Sequence, residues 1–484
     1  MSPEQVSGLK VDHRTDIFSL GILLYEMAAG RRPFQGRSSA ELASAILRDA
    51  PPALEDSRPD LPDGLCRLIS RCLQKEPDNR FPAVREAAEA LRDLRSGTST
   101  ITPTLTQARS TAEGFWVAVL PFSHRGSDPG VEALAEGMSE DIVTGLSRFS
   151  YLQVISRSSA LKHAGEAVDV RAFGREVGAR YVIEGSLRQA GSVLRIAVRL
   201  VDAASGAHLW AETYNRPFEA DGIFELQDEV VPHIVSTVAD MNGILPHSMS
   251  EALRSRDPQK LSPYEAVARG LGYYQRITVE EHAAVRDALE RAVEEEPDNA
   301  DAWALLAEAY AEEFKHGFNV RPDPLGRALE AARRAVAAAP SNHLAQHALA
   351  QALFFRRELQ AFRPAADRAV ALNPTDGCTT AFLGILMAYA GDWDHGLALA
   401  EAAMDLNPHY PGWYRLGSFF GAYRKKDYRA ALDIALRVNM PSYYYTHAAM
   451  AAAYGQLGEG EAAQGALREL RALKPDFAEV ARED

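Results

Sequence analysis

A proline that returns on a fixed beat constrains this chain more than any other feature. Pro297, Pro340, Pro374, Pro408, Pro441 and Pro475 stand 43, 34, 34, 33 and 34 residues apart, each after an alanine-rich stretch with helical apolar spacing. Proline cannot continue a helix, so each one closes a helix and resets the chain for the next. A beat of 34 leaves room for two short helices, and a pair that short cannot bury its apolar faces alone. Residues 262–475 are therefore expected to stack as an all-α superhelix in which each pair covers its neighbour. The interval of 43 implies an insertion of about nine residues over the ordinary period, placed at Phe314 to Pro322. The first pair, beginning near Pro263-Tyr264, is irregular.

Position-specific residues sharpen this reading. Trp303, Leu306, Ala307 and Tyr310 recur in phase with Leu383, Gly384, Met387, Gly391 and Asp392. These strings resemble the tetratricopeptide repeat over the whole segment. The resemblance implies a curved array whose first helices line a groove that takes a protein or peptide ligand. By spacing, the groove candidates are Glu308, His347, Gln351, Phe355, Ala381, Ile385, Tyr389, Tyr445 and Gln456. Each of these side chains has packing as its alternative role. Tyr443-Tyr444-Tyr445 stands out because aromatics are favoured interface anchors.

Residues 1–96 read differently. Asp16-Ile17-Phe18-Ser19-Leu20-Gly21 opens a run apolar on every side, ended by Gly30 and Pro33, which predicts a buried helix. Further helices are expected from Ser38, after Pro62 and after Pro82. Ser2-Pro3-Glu4, Asp12 to Gly21, Gly30 to Phe34 and Cys72 to Phe81 resemble a bacterial serine/threonine protein kinase, from its A-P-E motif to the last helix of the large lobe. The resemblance implies an ion pair between Glu4 and Arg80 across the lobe, and assigns Asp16 to the catalytic-loop backbone, with a plain N-cap as the alternative. In that family the phosphate-covering loop, the strand lysine, the catalytic Asp and the magnesium-holding Asp all precede A-P-E. No such strings occur in the 484 residues. No cofactor is expected for the chain as given, with ATP and magnesium belonging to a complete parent kinase, and Met1 is open to being an internal methionine of one.

Residues 97–113, rich in Thr, Ser, Pro and Gln, read as a flexible tether. Residues 114–243 alternate strand and helix patterns. An apolar run from Trp116 to Phe122 precedes a helix opened by Asp128-Pro129, with Leu134, Met138, Ile142, Val143 and Leu146 in register. A strand over Leu152 to Ser156 and a helix from Asp169 to Val177 come next. Three strands separated by turns near Gly191 and Gly206 then predict an antiparallel meander, closed by a helix from Ile223 to Met241. Val117 to Phe122, Tyr181 to Ser186 and Gly206 to Glu212 look like the TolB amino-terminal-like domain, which implies a fold and little chemistry. Glu136, Ser139, Glu140, Asp141, His163, His208 and Trp210 form no nucleophile-base set and no metal spacing.

Composition bounds the rest. A net charge of -14 disfavours nucleic acid and anionic membranes as partners, although it leaves room for a local basic patch. Three cysteines exclude a disulfide framework and suit a reducing, cytoplasmic setting, and no long apolar run or signal layout is present. The fold class expected is multidomain: an all-α kinase-lobe remnant, a small α/β domain and an all-α repeat superhelix. The function expected is a signalling or scaffold protein that binds a protein or peptide through its repeats. The alternative is a piece of an active serine/threonine kinase.

Overall fold

The computed structural model describes residues 2–6, 14–34, 45–46, 51–52, 54, 58, 61, 63–75, 80–81, 115–125, 128–155, 169–218, 222–275 and 277–480. They belong to two units, Met1–Arg109 and Ser110–Asp484. Of the helix expected from Ser38 the described residues include Ala45 and Ile46, which are helical and buried, while the helix expected after Pro82, the tether 97–113 and His163 lie outside the described residues.

In the first unit, α1 (Pro3–Val6) and α2 (Arg14–Ala29) are followed by α3 (Asp63–Cys72). Gly30 ends α2 in a left-handed conformation that a side chain would strain. Ile17, Phe18 and Tyr25 of α2 pack with Ile69, Cys72 and Leu73. The all-round burial expected of α2 is not what the structure has. Leu23 and Met27 are 55% and 73% exposed, so among the described residues one apolar stripe of the helix has no cover.

The second unit begins with a sheet. β1 (Trp116–Val119), β2 (Ser123–Arg125), α4 (Pro129–Leu146), β3 (Gln153–Val154), α5 (Val170–Val177), β4 (Tyr181–Ala190), β5 (Val193–Asp202) and β6 (Ala207–Pro217) precede α6 (Ile223–Ala239). The order across the sheet is β3-β1-β4-β5-β6, with β2 beside β4. β1 runs parallel to β3 and β4, while β4, β5 and β6 form the expected antiparallel meander. Alternation decides the faces. Ile183, Leu187, Leu194, Ile196, Val198 and Leu200 point into one core with Leu134, Met138 and Ile142 of α4 and Val230, Ile234 and Val238 of α6. On the other face, among the described residues, α5 is seated, with Phe173 against Ala118 and Val182.

After α7 (Ile244–Leu253), the repeats follow the proline beat: α8 (Pro263–Leu271) with α9 (Val279–Glu295), α10 (Ala300–His316) with α11 (Pro324–Ala338), α12 (His343–Phe355) with α13 (Leu359–Leu372), α14 (Gly377–Tyr389) with α15 (Trp393–Leu406), α16 (Leu416–Arg424) with α17 (Tyr428–Val438), and α18 (Tyr444–Leu457) with α19 (Gly460–Leu473). Each of Pro297, Pro340 and Pro374 stands two residues before an N-cap. Asn299, Asn342 and Asp376 accept hydrogen bonds from the amides of Ala302, Ala345 and Thr379, so the sequence beat fixes where α10, α12 and α14 start. Part of the insertion is helical, because α10 runs through Phe314 to His316 before a left-handed Gly317 stops it.

The stretches 114–243 and 262–475, expected as separate domains, share one continuous core. Val235, Leu245, Met249, Ala266, Leu289, Leu305 and Leu344 all belong to it. α7, which lies between these two stretches, is the piece that welds them.

Candidate functional site

Glu4 and Arg80 meet as the sequence expectation requires. Arg80 Nη1 and Nη2 donate to Glu4 Oε1 and Oε2 at 2.8 and 2.9 Å, and both side chains are almost wholly buried. The remaining guanidinium hydrogens reach the carbonyls of Arg14, Gln74 and Lys75, and the group lies 4.8 Å over the Phe18 ring. All five donors are thereby used, which is what makes a buried guanidinium tolerable. Burial alone would raise the Glu4 pKa, but the Arg80 and Thr15 hydrogen bonds outweigh it and hold the carboxyl at about 2. Asp16 sits on the exposed side of the first turn of α2. This clamp joins three segments and performs no chemistry.

The repeat candidates divide into two groups. Glu308, His347, Gln351 and Ile385 are buried. Glu308 Oε2 accepts from the Tyr274 hydroxyl at 2.7 Å, and burial pushes its carboxyl up to about 7. His347 stacks on Phe382 at 5.5 Å, and burial pulls its pKa down to about 4, so the ring is neutral. Ile385 packs against Gly417 of the next repeat, and Ala381 against Tyr414, which makes both spacers between repeats. Phe355 is half-buried, Tyr389 and Tyr445 are 43% and 37% exposed, and Gln456 is exposed.

Two groups that the spacing did not single out organise this inner face. Lys315 and His316, at the extended end of α10, both bind Glu312, at 2.5 and 2.9 Å. Burial opposes ionisation of Glu312, yet Lys315 and His316 together hold it at about 2. Lys315 Nζ also lies 5.8 and 5.3 Å from the Phe355 and Phe382 ring centres. The array curls far enough for its last pair to reach its second. His316 meets the Tyr444 ring at 6.2 Å, and Lys474 Nζ donates to the His316 carbonyl at 3.4 Å. Tyr443, Tyr444 and Tyr445 then stack among themselves, with Tyr445 close enough to Tyr389 to add to the burial that raises the Tyr389 pKa. The result is a closed inner wall of aromatic rings around one ion-paired lysine, open at Tyr389 and Tyr445.

A second polar cluster lies where the sheet layer meets the repeat starts. Asp301 Oδ1 accepts from Ser150 and Asn342 at 2.6 and 2.7 Å, and Phe149 meets the His343 ring edge-on at 5.6 Å. His233 Nδ1 lies 2.9 Å from the Leu406 carbonyl. Asp240, at the end of α6, and Asp376, at the start of α14, are both fully buried. Asp376 accepts from Thr379 twice and lies 3.2 Å from His343 Nε2, and these contacts keep it ionised despite burial. Burial, and then the charge of Asp376, pushes Asp240 up to about 8. Gly377 permits this approach, since a Cβ there would sit 3.2 Å from both Asp240 Oδ2 and Ser236 Oγ.

Elsewhere, Ser139 is structural, with Oγ accepting from the Phe122 amide and donating to the Ala135 carbonyl. Among the described residues no group of histidine, cysteine or carboxylate side chains could hold a metal ion, no helix is long and apolar enough to cross a membrane, and all three cysteines are buried.

Comparison with known proteins follows the same division. The protein kinase domain family matches residues 1–92, and the family described as HilA/YgeH-like transcriptional regulator, second domain, matches residues 113–233. A putative adenylate cyclase 3 of Rhizobium meliloti is 35% identical over 244 residues, covering 50% of this chain and 41% of that protein. A probable serine/threonine-protein kinase of Clostridium acetobutylicum is 38% identical over 96 residues, 20% of this chain and 15% of that one. The serine/threonine-protein kinase PknA of Corynebacterium glutamicum is 43% identical over 97 residues, 20% of each chain. Among solved structures, the APC/C hetero-tetramer Cut9-Hcn1 aligns at 18% identity and a TM-score of 0.39, over 54% of this chain and 50% of that one. PilF of Pseudomonas aeruginosa aligns at 18% identity and a TM-score of 0.32, over 49% of this chain and 99% of that one. The chain spans less than half the length of each of these curated relatives, and residues 1–92 carry a fragment of a protein kinase domain ahead of an α/β layer and helical repeats.

Proposed function

We propose that this chain is part of a signalling protein in which residues 110–484 receive a protein or peptide partner and the segment 1–92 belongs to a serine/threonine kinase module. The observation that carries this reading is the inner wall of the repeats. Phe355, Tyr389 and Tyr445 offer aromatic surface there, and half-exposed tyrosines are favoured anchors for a partner chain. The similarity to a putative adenylate cyclase supports a regulatory unit placed behind different heads, because 244 aligned residues exceed the whole first unit. Under this reading residues 114–243 are a TolB amino-terminal-like domain, the setting is cytoplasmic, and nucleic acid is not the repeats' ligand. Installing a photo-crosslinking residue at Tyr445 should trap a peptide-bearing adduct that Tyr389→Ala abolishes. The same adduct from a crosslinker at exposed Arg437 would count against it.

The second reading is an active kinase of which this chain is a piece, favoured by the intact Glu4–Arg80 clamp. Residues 1–484 alone should show no magnesium-dependent phosphorylation of a generic substrate and no ATP-dependent thermal shift. Turnover by this chain would overturn the first reading in favour of an enzyme.

A further inference from the structure

The outer face of the sheet carries an arrangement that folding alone disfavours. In register across adjacent strands stand Arg188 of β4 and Arg195 of β5, followed by Asn215 of β6. Neighbouring strands lie about 4.8 Å apart, and like charges placed directly opposite one another destabilise a sheet. One step along, the row is Ser123, Ser186, Ala197 and Thr213, and beyond it Arg199 opposes Glu184, the one acid among the described residues of this face.

Arg188, Arg195 and Arg199 are exposed. Arg195 Nε donates to Asn215 Oδ1 at 2.8 Å, whereas Arg188 and Arg199 have no ion pair or hydrogen bond among the described residues. A chain of net charge -14 has acids to spare, yet almost none is placed here. α5 covers this face at its Val182 end, and no other described helix lies over the arginine rows.

We infer that this face is a docking surface for a phosphorylated serine or threonine segment of a protein partner. A phosphate dianion offers three acceptor oxygens, so several guanidinium forks at strand spacing converge on it, whereas a carboxylate satisfies one fork. The hydroxyls of Ser186 and Thr213 and the amide of Asn215 supply neutral donors beside it. A nucleic acid fits less well. The patch is only a few charges wide on an acidic molecule, too few to neutralise a run of phosphates. The surface is distinct from the inner wall of the repeats, and the inference stands without that reading.

The test uses the full chain and fluorescence anisotropy with short degenerate peptides centred on phosphothreonine, their unphosphorylated counterparts and a short DNA duplex. The phosphorylated pool should bind and the unphosphorylated pool should not, with affinity falling as salt rises. Arg188→Gln and Arg195→Gln should each weaken binding about tenfold or more, while Arg437→Gln leaves it unchanged. Arg188→Gln should also leave the melting temperature equal or higher, because it relieves the opposition to Arg195. Equal binding of both peptide pools, no binding of either, tighter binding of DNA, or full affinity in the arginine variants would each overturn the inference.

Discussion

Two buried carboxyls with opposite fates show how much a single residue's surroundings decide. Glu4 keeps its charge because a guanidinium and a hydroxyl replace the water it lost, and Asp240 loses its charge because burial strips its water and its neighbour is another carboxylate. Arg80→Ala should cost about 3 to 5 kcal/mol, since it strands a buried carboxylate. Hydrogen exchange in the full chain would report this as lost protection across Arg14–Ala29 with the repeats unaffected. Because the folded pKa of Glu4 is depressed, its contribution is present above the ordinary 4.5 and fades as pH falls toward about 2. Asp240 has the opposite sign. Its folded pKa is raised, so the fold holds a proton that the unfolded chain releases, and the second unit loses stability as pH rises from about 4 to about 8. Asp240→Asn should remove that slope, giving a melting temperature above wild type on the alkaline side and close to it in mild acid. An unchanged slope in the variant would refute the assignment.

At the scale of the element, the helix pairs succeed or fail on how closely two backbones approach. α14 and α15 cross at Gly384 and Gly396, and a Cβ at Gly396 would lie 2.3 Å from the Gly384 carbonyl oxygen and 2.6 Å from the Ala388 amide nitrogen. Backbone cannot step aside there, so Gly396→Ala should destabilise the second unit by about 1 to 3 kcal/mol, read from urea denaturation of the full chain. The same substitution at Gly455, whose Cβ would meet nothing, should be neutral or slightly stabilising. Much of this scale was legible in the sequence. The proline beat gave the helix pairs, and alternation gave the meander, because both periods repeat over many residues. β2 and α7 were not legible. The first is a three-residue strand with no pattern long enough to read, and the second has no partner visible until the fold brings the sheet layer and the first repeats together.

At the scale of the molecule, the shared core changes what a fragment can do. A truncation beginning at Ser262 would strip α6 and α7 from Ala266, Leu289, Leu305 and Leu344. Exposing about 300 Å² of apolar surface forfeits about 8 kcal/mol at about 25 cal/mol per Å², as much as a domain's whole stability. Residues 262–484 alone should therefore melt well below residues 110–484, as differential scanning calorimetry would show. Limited proteolysis should cut first before residue 114, because the uncovered stripe of Leu23 and Met27 leaves the first unit poorly supported. The resistant core should begin near residue 115 and extend past the last repeat, with no stable product starting at Ser262.

What the sequence by itself determined was everything that rests on local chemistry repeated in register: the repeats and their N-caps, the meander and its faces, and the segment matching a kinase lobe. The pairing of Glu4 with Arg80 was also within its reach, but only through resemblance, since 76 residues separate them. The tertiary structure decided which repeat residues face outward. Glu308, His347, Gln351 and Ile385 share the phase of Tyr389 and Tyr445, yet neighbouring repeats bury the first four. It also decided the two clusters that no spacing announces, the Lys315 wall and the Asp240–Asp376 junction. Their members come from helices far apart in the chain, and each takes its protonation from partners that only the closed superhelix and the docked sheet layer supply.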